Sequence, residues 1–97
     1  MDRDQVVSLL RSHAAELKTL GAARLFLFGS VARDEAGPAS DVDLFFDFEA
    51  PRFSIVELVA LRDRLGALLH RKVDVMSRGS LHPRLKPAIE GAAVQVF

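Results

Sequence analysis

The sequence contains no cysteine, and that absence removes several chemistries at once. A disulfide framework, a thiolate zinc site and a cysteine nucleophile are all excluded. Neither sign of charge is in excess, because thirteen Lys and Arg side chains balance thirteen Asp and Glu. No global field therefore draws the chain to a membrane surface or to nucleic acid, and direct nucleic-acid binding is not expected. No stretch reaches the roughly eighteen apolar residues that a membrane span requires. The first ten residues, MDRDQVVSLL, are charged and helical in pattern, unlike a signal peptide. A cytoplasmic protein is the expectation. There is no internal repeat and no low-complexity tract. A Gly-x-x-x-x-Gly-Lys run is also missing, which excludes a standard P-loop.

What remains is an ordinary globular composition. The 97 residues are 49% hydrophobic and 27% charged, a balance that argues against disorder and predicts one domain over 1–97. Val6, Leu9, Leu10, Leu17 and Leu20 fall at helical spacing, and Gly21 can close that first helix. The run ARLFLFG is too short for a helix and reads as a buried strand ending at Gly29. A short helix is expected over 30–36, then a loop at GPAS and a second strand over 41–48, ended by EAPR. Ser54 followed by Glu57 forms a capping-box pattern that opens a long helix reaching about His70. KVDVM reads as a third strand, Pro83 as the opening of a last short helix that Gly91 ends, and AAVQVF as a final strand. The fold class is α/β (α+β): a small mixed sheet of about four strands flanked by helices.

One feature works against that second strand. Asp41 and Asp43 stand together at its start, although Asp is depleted in strands and like charges on one face repel. Alternation puts the two carboxylates on one face and Val42 and Leu44 on the other. Asp74, on a strand that can lie alongside, can add a third carboxylate to the same face. Such a cluster raises the pKa of its members unless a cation is bound. Mg²⁺ suits it, because that ion favours carboxylate oxygens and keeps positions for substrate phosphates. Upstream, Gly29 permits a tight turn, and Ser30 then lies at a helix start, where N–H groups favour phosphate. A triphosphate held there meets the carboxylates in the layout of a two-metal in-line displacement.

Gly29-Ser30, ten residues, then Asp41-Val42-Asp43 resembles the signature of the DNA polymerase β-like nucleotidyltransferase superfamily. The short chain and the context FLFGSVARDEA…SDVDLFFDF are similar to its minimal nucleotidyltransferase (MNT) branch. That resemblance implies the polymerase β-like nucleotidyltransferase fold and a Mg²⁺-dependent antitoxin, using two ions, that acts on a HEPN-domain toxin. In such pairs AMP passes from ATP to a tyrosine hydroxyl of the toxin. By position, Asp41, Asp43 and Asp74 are the metal ligands and catalytic residues, with Asp74 helping to activate the attacking hydroxyl. Gly29, Ser30 and Arg33 are the nucleotide-binding residues. Phe45 departs from the family's smaller aliphatic residues and is expected to narrow the base pocket.

Asp47 lies on the aspartate face too and reads as exposed. Arg71, Lys72, Arg78, His82, Arg84 and Lys86 form the one basic concentration and read as a solvated face. His13, His70 and His82 have no ligand spacing. Two alternatives stand beside the enzyme: an antitoxin that neutralises its toxin by binding alone, and a nucleotidyltransferase acting on RNA or a small molecule. A chain this short leaves specificity to a partner or to homo- or hetero-oligomerisation.

Overall fold

The structure is a computed structural model that describes residues 1–49, 51 and 53–97. Its first helix, α1 (Arg3–Ser12), opens on a capping box in which Asp2 accepts from the Gln5 N–H while the Gln5 side chain accepts from the Asp2 N–H. That reciprocal pairing satisfies two otherwise orphaned donors. The single helix expected to Gly21 is instead two, with α2 (Ala14–Thr19) starting after a break at His13. At the break the Ser12 hydroxyl donates to the Leu9 carbonyl at 2.6 Å, a local bond of the kind that competes with helix continuation. Both pieces keep the expected face inward: Val6, Leu10 and Leu17 are fully buried.

Strand β1 (Arg24–Phe28) runs straight into α3 (Gly29–Ala32), a single turn that stops four residues earlier than expected. Strand β2 (Val42–Asp47) pairs antiparallel with β1, so Asp41 immediately precedes the strand and Phe48 follows it. The stop expected at EAPR falls partly on Ala50 and Arg52, which lie outside the described residues. Helix α4 (Ile55–Leu69) is capped by the Ser54 hydroxyl, which accepts from the Glu57 N–H at 3.3 Å. It ends on His70, whose φ of 52° turns the chain sharply. This helix is the crossover that lets β3 (Val73–Ser77) lie parallel to β2. After a 3-10 turn at Arg78–Ser80, α5 (Lys86–Ala92) begins three residues beyond Pro83 and takes Pro87 into its first turn. The two-residue β4 (Val94–Gln95) closes the sheet in the order β3-β2-β1-β4. Mixed and four-stranded, the sheet matches the expected fold class.

Strand alternation gives the sheet two unlike faces. Leu25, Leu27, Val42, Leu44 and Phe46 point into the core shared with Val6, Leu10, Leu61, Leu65 and Leu69. Each such side chain contributes about 1.5–3 kcal/mol by leaving water. The opposite face carries Arg24, Phe26 and Phe28 on β1 directly across from Asp47, Phe45 and Asp43 on β2. Asp74 on β3 continues the last of these rows beyond Asp43. This second face positions the site.

Candidate active site

The site begins at the end of β1, where Gly29 adopts φ +75°. That conformation costs an L side chain roughly 1–2 kcal/mol. A Cβ on Gly29 would also collide with the Asp43 carboxylate. Glycine is therefore required twice, by its backbone angle and by the acid packed over it. Ser30 follows in the first turn of α3, whose leading N–H groups receive no side-chain cap. Those donors follow directly on β1 and lie beside the Asp43 carboxylate, because Phe28 and Asp43 are register partners.

Asp43 and Asp74 are direct partners across the parallel β2–β3 pair. Like charges so placed destabilise a sheet. Burial pushes the Asp43 carboxyl above its ordinary value, and the charges of Asp74 and then Asp41 push it further, against a smaller pull from Arg33. Asp41 sits at the mouth of the strand, 38% exposed, with Lys72 Nζ at 3.6 Å from its Oδ2. Asp74 is exposed on the same face. Arg33 stands at the C-terminal end of α3, 55% exposed, with its Nε donating to Glu35 at 3.0 Å. The structure thus brings all three acids, Gly29, Ser30 and Arg33 to one end of one face. Among the described residues, no three acids or histidines already stand at the spacing of a single ion's ligand shell.

Two sequence expectations about this face are overturned. Phe45 does not narrow an open pocket, since it is 1% exposed. It stacks on Phe26 at 4.7 Å between ring centres and lies under the Arg78 guanidinium at 5.0 Å. The open groove beside the site is walled instead by Phe28, Ala32, Ala88, Ile89 and Ala92, with Gly29 and Arg33 at its edge, and encloses about 400 Å³. Asp47 is not exposed either: only 16% of its side chain is accessible. Arg78 grips it with two donors at 2.8 and 3.0 Å, and Arg24 adds a third at 3.0 Å. Those bonds hold the Asp47 carboxyl below its ordinary range. Nor do Arg71 and Arg78 belong to a solvated basic face, because both side chains are spent on internal partners.

Comparison with known proteins decides the family. The nucleotidyltransferase domain family matches residues 10–96. The chain belongs to the nucleotidyltransferase family. A Methanocaldococcus jannaschii protein, assigned provisionally as a protein adenylyltransferase, is 36% identical to this nucleotidyltransferase over 88 residues, covering 89% of each chain. The protein adenylyltransferase MntA of Thermococcus cleftensis is 37% identical over 79 residues, 80% of this chain and 79% of that one. A solved structure described provisionally as a minimal nucleotidyltransferase superposes with a TM-score of 0.82 at 34% identity, covering 97% of this chain and 95% of its own. The MNT antitoxin complex with a tri-AMPylated HEPN toxin of Shewanella oneidensis shares the fold, with a TM-score of 0.67 at 18% identity, over 94% of this chain and 71% of that one.

The donor set of this nucleotidyltransferase suits a hard divalent cation. Three carboxylates and no thiol or imidazole lie at one end of one sheet face, though not at the spacing of a ligand shell, and Asp43 carries a raised pKa that a cation would relieve. Sequence reasoning read Lys72 as part of a solvated face; its side chain is 75% exposed, but its ammonium lies beside the Asp41 carboxylate, which that reading did not foresee. Its position directly before the third strand was the available signal. In the described residues, no helix is long and apolar enough to cross a membrane.

Proposed function

We propose that this nucleotidyltransferase is an antitoxin that transfers AMP from ATP to a tyrosine hydroxyl of a HEPN-domain toxin. The observation that carries the reading is the Asp43–Asp74 pair, two like charges placed side by side where a neutral pair would be more stable. A face that tolerates that cost is built to meet positive charge. Asp41, Asp43 and Asp74 would hold Mg²⁺, which when bound supplies charge stabilisation at the reacting phosphate and lowers the pKa of the attacking hydroxyl. Relatives named as protein adenylyltransferases support the choice of reaction.

The protein's own groups divide the work. Ser30 and the uncapped N–H groups of α3 hold the triphosphate, with Arg33 as a further cation beside it. Gly29 leaves room for the phosphates to approach the Asp43 carboxylate. The acceptor oxygen bonds to the α-phosphorus, the bond from that phosphorus to the bridging oxygen breaks, and pyrophosphate leaves. The hydroxyl proton passes to Asp74, the exposed member of the cluster, which a docking protein can reach. No separate recognition domain is needed if the toxin supplies its own docking surface.

The test incubates the protein with a candidate HEPN-domain toxin, ATP and Mg²⁺, and reads the toxin by intact mass. Wild type should add one or more AMP units. The Asp41→Asn, Asp43→Asn double variant should still co-purify with the HEPN protein and add none. Growth rescue by the double variant equal to wild type, with no added mass in either case, would show neutralisation by binding alone.

A further inference from the structure

Asp41 is the one acid of the cluster that lies outside regular structure, directly after the loop that leaves α3. What fixes it is therefore not the sheet ladder. The loop carries a tight turn in which the Ser40 N–H donates to the Gly37 carbonyl at 3.1 Å and the Gly37 N–H donates to the Ser40 hydroxyl at 2.9 Å. Both carbonyls of that turn, Gly37 O and Ser40 O, accept from the same Arg71 guanidinium nitrogen. Ser40 is the residue immediately before Asp41.

Arg71 is placed for this by the left-handed turn at His70, which ends α4 and sends the chain back toward β3. It thus stands just ahead of β3 and reaches the residue just ahead of Asp41 and β2. One step on, the Val42 N–H donates to the Lys72 carbonyl at 3.0 Å, the first bond between those two strand ends. Arg71 Nε is buried with no hydrogen-bond partner among the described residues. A buried donor left without a partner is costly, so its retention calls for a reason. Holding the loop is that reason.

We infer that Arg71 is a positioning residue whose clamp on the Gly37 and Ser40 carbonyls sets the place of the Asp41 carboxylate beside Asp43. This inference rests on the nucleotidyltransferase reading of the carboxylate end. Among the described residues, the Arg71 side chain hydrogen-bonds Gly37 and Ser40 and neither Ser30 nor Gly29, so the clamp serves the cation-binding acids and not the phosphate cradle.

The test compares wild type, Arg71→Met and Arg71→Lys in two measurements. In the metal-free proteins, hydrogen exchange of the amides of Gly37, Ser40 and Val42 should speed up at least about ten-fold in Arg71→Met, with a smaller change in Arg71→Lys, which keeps the charge and loses the fork. In thermal shift with Mn²⁺ and saturating ATP, the Mn²⁺ concentration giving half the stabilisation should rise about ten-fold in Arg71→Met. The ATP concentration giving half the stabilisation at saturating Mn²⁺ should stay within about three-fold of wild type. A purely structural role would lower the starting melting temperature and leave both half-saturation points unmoved. That result, or unchanged exchange in the turn, overturns the inference. Should Arg71→Met not fold, Arg71→Lys decides by direction: faster exchange in the turn together with a raised Mn²⁺ half-point supports the inference, and either one unchanged overturns it. A wild type without any Mn²⁺–ATP stabilisation would instead defeat the nucleotidyltransferase reading, and the exchange data would then judge the clamp alone.

Discussion

Asp43 and Asp47 lie four residues apart on the same face of the same strand, yet their surroundings are opposite. Across the ladder Asp47 meets Arg24, and Arg78 closes over it from the far side. Asp43 meets Phe28 on one neighbour and Asp74 on the other. One carboxyl is held below its ordinary range by guanidinium hydrogen bonds, and the other is pushed above it by burial and by two acids. Phe45 separates them, sealed under Arg78 and stacked on Phe26. The difference teaches where the chain commits its cations. At the Asp47 end they are internal and tie α5 to the sheet, since Arg78 also pairs with Glu90. At the Asp43 end, among the described residues, no cationic side chain hydrogen-bonds the carboxylate, and Arg33 exerts only a minor pull.

Substitutions at the two ends should therefore fail in different ways. The largest expected effect is Asp43→Asn, which removes a proposed metal ligand and should cut AMP transfer by about 10²–10³-fold. Its metal-free form at neutral pH should melt no lower than wild type, because a repelling, partly buried charge has gone. Activity measured beside a melting curve checks both halves. Asp47→Asn should do the reverse. Losing charge-assisted bonds at a site this covered should cost about 2 kcal/mol, a drop in melting temperature of roughly 8–16 °C for a domain of this size. Activity per folded molecule should hold. A stable Asp47→Asn protein, or an unstable Asp43→Asn one, would erase the distinction between the two ends.

A smaller effect sharpens the account at the phosphate side. Ser30→Ala removes the hydroxyl proposed to donate to a phosphate, worth about 1–3 kcal/mol, so ATP affinity should fall roughly ten-fold or more. Calorimetric titration with ATP and Mg²⁺ is the check. Equal affinity in the variant would remove Ser30 from the cradle and leave the α3 N–H groups to hold the phosphates.

Much of this was legible in the sequence because it depends on short-range periodicity. Alternation alone put Asp41 and Asp43 on the face opposite Val42 and Leu44, and spacing put a helix start directly after Gly29. The companion strand for Asp74 was foreseeable from the same pattern. What escaped was set by contacts distant along the chain. Asp47 reads as exposed in any local window, since its partners Arg24 and Arg78 are 23 and 31 residues away. Arg71 reads as surface charge until the loop at Gly37–Ser40 is seen beneath it, again 31 residues from its main acceptor. Phe45 reads as lining a pocket because it shares the aspartate face, and only its packing between Phe26 and Arg78 shows it sealed. The break at His13 and the early end of α3 are boundary effects, where one side-chain hydrogen bond or one turn outweighs propensity.

The two ends also set opposite responses to pH. Because the folded pKa of Asp43 is raised, its contribution to stability is present below the ordinary carboxylate range and is lost as pH rises through the raised value. For Asp47, with a lowered folded pKa, the contribution is present above the ordinary range and is lost as pH falls through the lowered value. Carbon-detected NMR titration of the two side-chain carboxyls in the metal-free protein measures this difference directly. The account predicts that Asp43 titrates above the ordinary aspartate value of about 3.9 and Asp47 below it, with Mg²⁺ moving the Asp43 transition down and leaving Asp47 in place. Asp43 titrating at or below Asp47, or not responding to Mg²⁺, would contradict the claim that this end of the strand is built to receive cations.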